Sequence, residues 1–182
     1  MNRIKSGHNH KKIARRRENL KQSTVQFVLD RKMDLKIEDA SIRLLDELYE
    51  IEKQCFREEA FSKQQIGFLL EDYNGISLVA RVNGEIAGFI IGRIDLIRNQ
   101  PVGHIMTIDV APLCQRKGIG QRLMLETEAL FKHKGAKECR LEVREGNVDA
   151  LGLYEKLGYK KVTVLDHYYG EAHGLYLRKN LL

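Results

Sequence analysis

Cysteine is scarce in this chain and shows no pattern. Cys55, Cys114 and Cys139 are the three in 182 residues, and no two stand in C-x-x-C spacing. A disulfide framework and a zinc site are therefore not indicated, and reduced, mostly buried thiols are the expectation. No metal is expected elsewhere either: His8 and His10 sit in a basic terminal stretch and read as a solvated pair. Also missing is any apolar run near the ~20 residues of a membrane span, and the amino terminus lacks the apolar stretch of a signal peptide. A cytoplasmic protein with no membrane partner is expected. Two nucleotide templates are absent as well, since neither G-x-G-x-x-G nor G-x-x-x-x-G-K-[ST] occurs. What remains is a chain long enough for one domain with a real core.

Positive charge is concentrated at one end. Residues 1–22 hold Arg3, Lys5, Lys11, Lys12, Arg15, Arg16, Arg17 and Lys21 against Glu18 alone, more than the formal net charge of +6 of the whole chain. The rest is therefore slightly acidic. Residues 1–24 read as a flexible basic extension or a loosely held helix, and 25–182 as the domain. Clustered cations meet the minimum requirement for a phosphate backbone, so a ribosome or RNA is a partner that the tail permits. A solvated terminus explains it equally.

Along the domain, residues 34–40 read as a strand, and Ile42, Leu45, Leu48, Tyr49 and Ile51 step at helical intervals to about Gln54. After a loop from Cys55 to Phe61, Ser62 can cap a second helix that turns Ile66, Leu69 and Leu70 inward. Residues 76–82 and 85–94 flank Asn83-Gly84, a strong hairpin signal. Strand 104–110, helix 119–134, strand 138–143 and helix 147–157 follow, with Gly135 and Gly158 as helix stops. Strands near 160–165 and 174–179 close the chain.

The stretch richest in chemistry is Gln115-Arg116-Lys117-Gly118-Ile119-Gly120. The apolar run Ile105 to Val110 enters it. An amphipathic helix leaves it, with Leu123, Met124, Leu125, Leu130 and Phe131 on one side and Gln121, Arg122, Glu126, Glu128 and Lys132 on the other. Gly118 and Gly120 lack a Cβ, so a phosphate can approach first-turn N–H groups where the helix dipole favours negative charge. Arg116 and Lys117 add cations at the rim. With both nucleotide templates absent, a pyrophosphate carrier of another kind fits better.

This run, preceded by Ile108-Asp109-Val110-Ala111-Pro112, resembles the acyl-CoA-binding motif [RQ]-x-x-G-x-[GA] of the GNAT N-acetyltransferases. Leu141-Glu142-Val143-Arg144-Glu145-Gly146-Asn147, followed by Ala150 to Tyr159, resembles the L-E-V-R-x-x-N-x-x-A-x-x-L-Y-x-x-x-G-[FY] block of the N-terminal protein acetyltransferases, of the ribosomal-protein-alanine and Ard type. The resemblance covers about residues 33–181. It implies an α/β fold: a single GNAT-type domain with a mixed, twisted sheet of about seven strands, helices on both faces, and two splayed parallel strands, 104–110 and 138–143, that admit the pantetheine arm of acetyl-CoA. Ile108, Asp109, Val110, Gln115, Arg116, Lys117, Gly118, Ile119, Gly120, Asn147 and Tyr154 are the implied acetyl-CoA contacts. Backbone N–H groups at a bulge near Ile108 to Val110 are expected to receive the oxyanion.

By alternation, Cys139, Leu141 and Val143 point one way and Glu138, Arg140 and Glu142 the other. The resemblance makes Glu142 the general base, acting through a water; an ion pair with Arg140 or Arg144 is the alternative. His104 would assist it, or be a histidine satisfied by a backbone carbonyl. Tyr154 would protonate or orient the departing thiolate, or be a core tyrosine. Asn147 would bond to pantetheine, cap a helix, or both. Cys55-Phe56 and Phe61-Ser62 resemble the C-F-x-x-x-[YF]-S wall of the acceptor groove, without its usual proline. Tyr168-Tyr169-Gly170-Glu171-Ala172 resembles Y-Y-x-D-G-E-D-A, shortened and without its aspartates. Phe56, Phe61, Tyr168 and Tyr169 are thus the implied substrate contacts.

The implied activity is acetyl transfer from acetyl-CoA to the α-amino group of a protein or peptide, by direct attack in a ternary complex. Two alternatives stand beside it: acetylation of a small amine or a lysine, and an acyl-CoA-sensing module whose tail docks on RNA. A monomer and a homodimer are both compatible with the sequence.

Overall fold

Two tight turns set the plan of the sheet. In the computed structural model, which describes residues 33–56 and 59–182, β1 (Leu35–Asp39) is followed later in the chain by β2 (Gly75–Val82) and β3 (Glu85–Ile97). Asn83 and Gly84 between β2 and β3 have φ of 52° and 92°, the left-handed values that a two-residue hairpin requires. The second turn departs from expectation. Residues 95–103 lack the Asn-Gly signal, yet Arg98 and Asn99 adopt φ of 50° and 63° and join β3 directly to β4 (Gln100–Val110). Cross-strand pairing carries both strands past the predicted ends at 94 and 104, with Asp95 opposite Val102.

The remaining strands among the described residues are β5 (Glu138–Arg144), β6 (Lys160–Tyr169) and β7 (Ala172–Asn180). All seven form one mixed sheet in the order β1-β2-β3-β4-β5-β7-β6. Neighbours are antiparallel except β4 and β5, which run parallel and pair only from Gly103↔Cys139 to Ile105↔Leu141. Beyond that point β4 continues to Val110 and β5 to Arg144 without partnering each other. The expected splayed pair is present.

Helices cover both faces. Against one lie α1 (Leu45–Phe56, entered through a single 3-10 turn at Ile42–Leu44) and α2 (Lys63–Leu70). Ser62 caps α2 through a capping box with Gln65. Leu48, Ile51 and Ile66 pack there on Val79, Phe89 and Ile91. Against the other face lie α3 (Ile119–His133) and α4 (Val148–Lys156), where Leu123, Met124, Phe131 and Leu157 pack on Leu78, Ile90, Ile105 and Leu141. The polar and apolar sides of α3 depart from the sequence pattern. Leu125 and Leu130 are exposed, whereas Thr127 and Glu128 are buried, Glu128 meeting Lys179 of β7 at 2.5 Å. Among the described residues, no helix is long and apolar enough to cross a membrane. Residues 35–182 form one compact unit. The basic segment 1–24, His8, His10 and the expected boundary at residue 25 lie outside the described residues.

Gly92 on β3 and Gly103 on β4 seat the ring of Phe131. A Cβ at Gly92 would stand 2.6 Å from Phe131 Cζ, and one at Gly103 would stand 2.6 Å from Cγ. Gly103 directly precedes His104, so this seat fixes α3 beside the parting of the strands. Gly103→Ala should cost about 1–3 kcal/mol by overpacking, and Phe131→Leu in the same protein should recover part of it. Urea denaturation of the two variants checks this; an unchanged midpoint for Gly103→Ala would contradict it.

Candidate active site

The parting of β4 from β5 places polar side chains on one face of the sheet and a narrow apolar wall on the other. A register shift decides which residues go where. Ile91 pairs with Thr107 but Gly92 pairs with Ile105, so Met106 is an extra residue in β4. The bulge therefore lies two residues earlier than expected near Ile108 to Val110. It leaves Ile105, Ile108 and Val110 on the α3 and α4 face and Thr107 and Asp109 on the α1 face. Ala111 N–H donates to the Ala87 carbonyl at 2.9 Å. Because successive strand residues direct their backbone groups to opposite edges, those of Ile108 and Val110 point away from β3 toward the unpaired side. There the Val110 carbonyl accepts from Gln115 Nε2 at 3.0 Å.

His104 and Glu142 meet across the last paired residues of the two strands. His104 Nε2 lies 2.8 Å from Glu142 Oε2, and the two side chains are 12% and 16% exposed, shielded from bulk water yet reachable. The ion pair of Glu142 with Arg140 or Arg144 does not form: Arg140 binds Asp95, and Arg144 binds Glu59 in the loop before α2. Nor is His104 held by a backbone carbonyl, because its Nδ1 faces Asp95 Oδ2 at 3.1 Å.

Tyr168 and Tyr169 border this pair. Their rings stand edge to face, with centroids 5.0 Å apart. Burial and then the Glu142 charge raise the Tyr168 hydroxyl, while burial, Tyr168, Glu142 and Glu59 push Tyr169 up to about 12. Both tyrosines are thus neutral donors beside Glu142. Tyr154 of α4 is 5% exposed, and burial holds its hydroxyl well above the ordinary value. Tyr169 and Asp109 are the next causes, so a side chain of one face senses groups on the other. Phe61 packs into the α1 core and its N–H donates to Glu52 Oε1 at 2.9 Å; Phe56 is half-buried on the last turn of α1. Arg57 and Glu58 between them lie outside the described residues.

The turn before α3 is arranged for an anion. Gly118 is its N-cap with φ of 81°, and a Cβ there would meet nothing within 4 Å. The first helical bond is from Arg122 N–H to the Gly118 carbonyl, leaving the N–H groups of Ile119, Gly120 and Gln121 without an acceptor inside the helix. Ile119 itself is a core side chain. Gly120 faces inward: a Cβ there would lie 3.3 Å from Leu153 Cδ2 and 3.7 Å from Val110 Cγ2. Arg116 pairs with Asp149 at 2.6 Å, joining this turn to the first turn of α4, and Lys117 Nζ donates to the Leu113 carbonyl at 3.0 Å. Asn147 caps α4, accepting from Ala150 N–H at 3.2 Å.

Two groups of functional interest were invisible in the sequence pattern. Asp95 lies between the strands read at 85–94 and 104–110, and only the hairpin through Arg98 and Asn99 brings it to His104. The other is a buried acid pair. Glu52 and Asp109 are each 1% exposed, and the Thr107 hydroxyl lies 2.9 Å from Asp109 Oδ2 and 3.4 Å from Glu52 Oε2. Two carboxylates buried side by side repel each other and lack water, which favours a proton on one of them. The signal available was Glu52 falling on the apolar stripe of Leu48, Ile51 and Cys55. Burial drives Asp109 well above the ordinary carboxylate range, with the Glu52 charge adding to it, and burial also raises Glu52. Burial and Asp109 push the adjacent Cys55 thiol up to about 12, and burial does the same for Cys139, so both stay protonated. Among the described residues, no group of His, Cys, Asp or Glu is gathered to hold a metal.

A carboxyl that keeps its proton when folded, but releases it near ~3.9 when unfolded, favours the folded state most at low pH. That contribution is lost as pH rises through the folded value. Asp109→Asn should therefore gain stability relative to the unmodified protein between pH 4.5 and 7.5. Paired urea titrations measure it, and a stability difference independent of pH would contradict the assignment.

Residues 45–159 match the acetyltransferase (GNAT) family model. The chain is 38% identical over 117 residues to an N-alpha-acetyltransferase of Sulfurisphaera tokodaii, spanning 59% of this chain and 70% of that one. Its fold superimposes on Ard1 of Thermoplasma volcanium with a TM-score of 0.73 at 25% identity, over 81% and 98% of the two chains. The ribosomal-protein-S18-alanine N-acetyltransferase of Escherichia coli gives 0.72 at 23%, over 81% and 94%.

Proposed function

The chain belongs to the acetyltransferase (GNAT) family and is an acetyl-CoA-dependent acetyltransferase, and from that premise we propose that its acceptor is the α-amino group of a protein or peptide. The observation that carries this reading is the Glu142–His104 pair bordered by Tyr168 and Tyr169 at the mouth of the cleft. An α-amine titrates near ~8 and a lysine near ~10.4, so at pH 7 roughly one in ten of the first is neutral against one in a few thousand of the second. A carboxylate base with a histidine beside it suits the first. Tyrosine hydroxyls next to the base suit a peptide backbone that presents its chain end. The similarity to a relative named N-alpha-acetyltransferase supports the same acceptor. Such chain ends arise in the cytoplasm, where we place the activity.

In the proposed reaction, the pyrophosphate of acetyl-CoA rests on the N–H groups of Ile119, Gly120 and Gln121 beside Gly118, with Arg116, Lys117 and Gln115 at the rim. The pantetheine arm lies between the parted strands along Ile108 and Val110, near Asn147. The amine nitrogen attacks the thioester carbon, and its proton passes through a water to Glu142. The N–H groups of Ile108 and Val110 face the developing oxyanion. The C–N bond forms, the C–S bond breaks, and the Tyr154 hydroxyl, which burial keeps protonated, donates a hydrogen bond to the leaving thiolate, which takes its proton from solvent.

The test uses an unblocked peptide carrying one internal lysine, with the modified nitrogen located by mass spectrometry. Acetyl on the α-amine is expected, and Glu142→Gln should lower turnover roughly 10²-fold or more with acetyl-CoA affinity nearly intact. Acetyl chiefly on the lysine would overturn the acceptor assignment. Full turnover by Glu142→Gln would remove Glu142 as the base.

A further inference from the structure

His104 is contacted at both ring nitrogens, and the proposed proton path uses only one of them. On the far side, Asp95 Oδ2 lies 3.1 Å from Nδ1. Two guanidinium groups hold that carboxylate. Arg93 Nε reaches Oδ1 at 2.8 Å, and Arg140 Nη2 binds Oδ2. The Asp95 side chain is 15% exposed. Burial would raise its carboxyl, but the Arg140 hydrogen bond and the charges of Arg93, Arg140 and His104 prevail and hold it below the ordinary value. The groups facing His104 are thus Asp95 from β3 and Glu142 and Arg140 from β5, with Arg93 behind Asp95 and Tyr176 of β7 beside Arg140.

We propose that Asp95 is a positioning residue for acetyl transfer, fixing His104 with its proton on Nδ1 so that Nε2 and Glu142 together receive the proton of the acceptor amine; this rests on the function proposed above. The competing donor at Nδ1 is Arg140 Nη2, at 3.4 Å. That nitrogen already donates to Asp95 Oδ2 at much closer range, and the carboxylate oxygen is nearer to Nδ1. Nδ1 therefore donates to Asp95. With that proton fixed, the 2.8 Å between Nε2 and Glu142 Oε2 is a seat for one further proton. At rest that proton joins Nε2 to Oε2, since two lone pairs would repel at this distance; before attack solvent takes it and a water enters the seat. When the C–N bond forms, the amine proton passes through water to Glu142 and settles between Oε2 and Nε2, leaving an imidazolium charge that Asp95 opposes. When the product leaves, solvent takes that proton and the seat empties again.

Asp95→Asn tests this without a change of volume. The asparagine has a single carbonyl oxygen for two arginines, which turns its amide N–H toward Nδ1 and moves the histidine proton to Nε2. The seat is then filled by a proton that cannot leave. Nitrogen-15 NMR of His104 at alkaline pH, where the shared proton is gone, should show Nδ1–H in the unmodified protein and Nε2–H in Asp95→Asn. Turnover should fall by a factor on the order of 10² or more while the KM for acetyl-CoA is unchanged. In a His104→Gln background, Asp95→Asn should cost nothing further, because Asp95 acts only through the ring. An Nε2–H tautomer in the unmodified protein, or an equal loss from Asp95→Asn with and without His104, would overturn the proposal. Lysine acetylation would retire the acceptor assignment instead and leave the tautomer result unaffected.

Discussion

Three residue pairs of parallel β-structure, and no more, join β4 to β5. Everything at the site depends on where that pairing stops. Had it continued, the backbone groups of Ile108 and Val110 would be spent on β5 and no cleft would exist. Had it been absent, His104 and Glu142, which sit within one residue of its end, would not be held 2.8 Å apart. The last pair, Ile105 with Leu141, is buried in the α3-side core, so the core supports the joint on one face while the polar pair occupies the other. Packing and chemistry thus share the same few residues.

The carboxyl groups near the joint have different surroundings, and these separate their roles. Asp95 is held by two arginines and stays below its ordinary value, which suits a fixed negative charge behind a histidine. Asp109 is sealed beside Glu52 without a cation and moves the opposite way, which suits a neutral structural acid. Glu142 is neither sealed nor paired with a guanidinium, and faces the tyrosines. All three stand on neighbouring strands. Alternation and one bulge at Met106 are enough to give them different environments.

Much of this was legible in the sequence where local chemistry decides the outcome. Asn83-Gly84 announces its hairpin, Ser62 its helix cap, and the alternation of β5 separates Arg140 and Glu142 from the core. The elements arrive in the order that the periodicity predicts. What could not be read depends on partners distant in the chain. Arg98-Asn99 forms a tight turn only because β3 and β4 pair along their whole length, and Asp95 reaches His104 only through that turn. Glu128 belongs to the buried side of α3 because Lys179, 51 residues away, meets it there. The bulge at Met106 has no local marker, yet it decides that His104 and Asp109 share a face.

The most direct measurement is backbone hydrogen exchange with and without acetyl-CoA. If the cleft lies where β4 and β5 part, binding should slow exchange at residues 106–110 and 118–122, and leave β1, β2 and the β6 edge unchanged. Slower exchange at β6 and β7 alone, with those two segments unaltered, would contradict it.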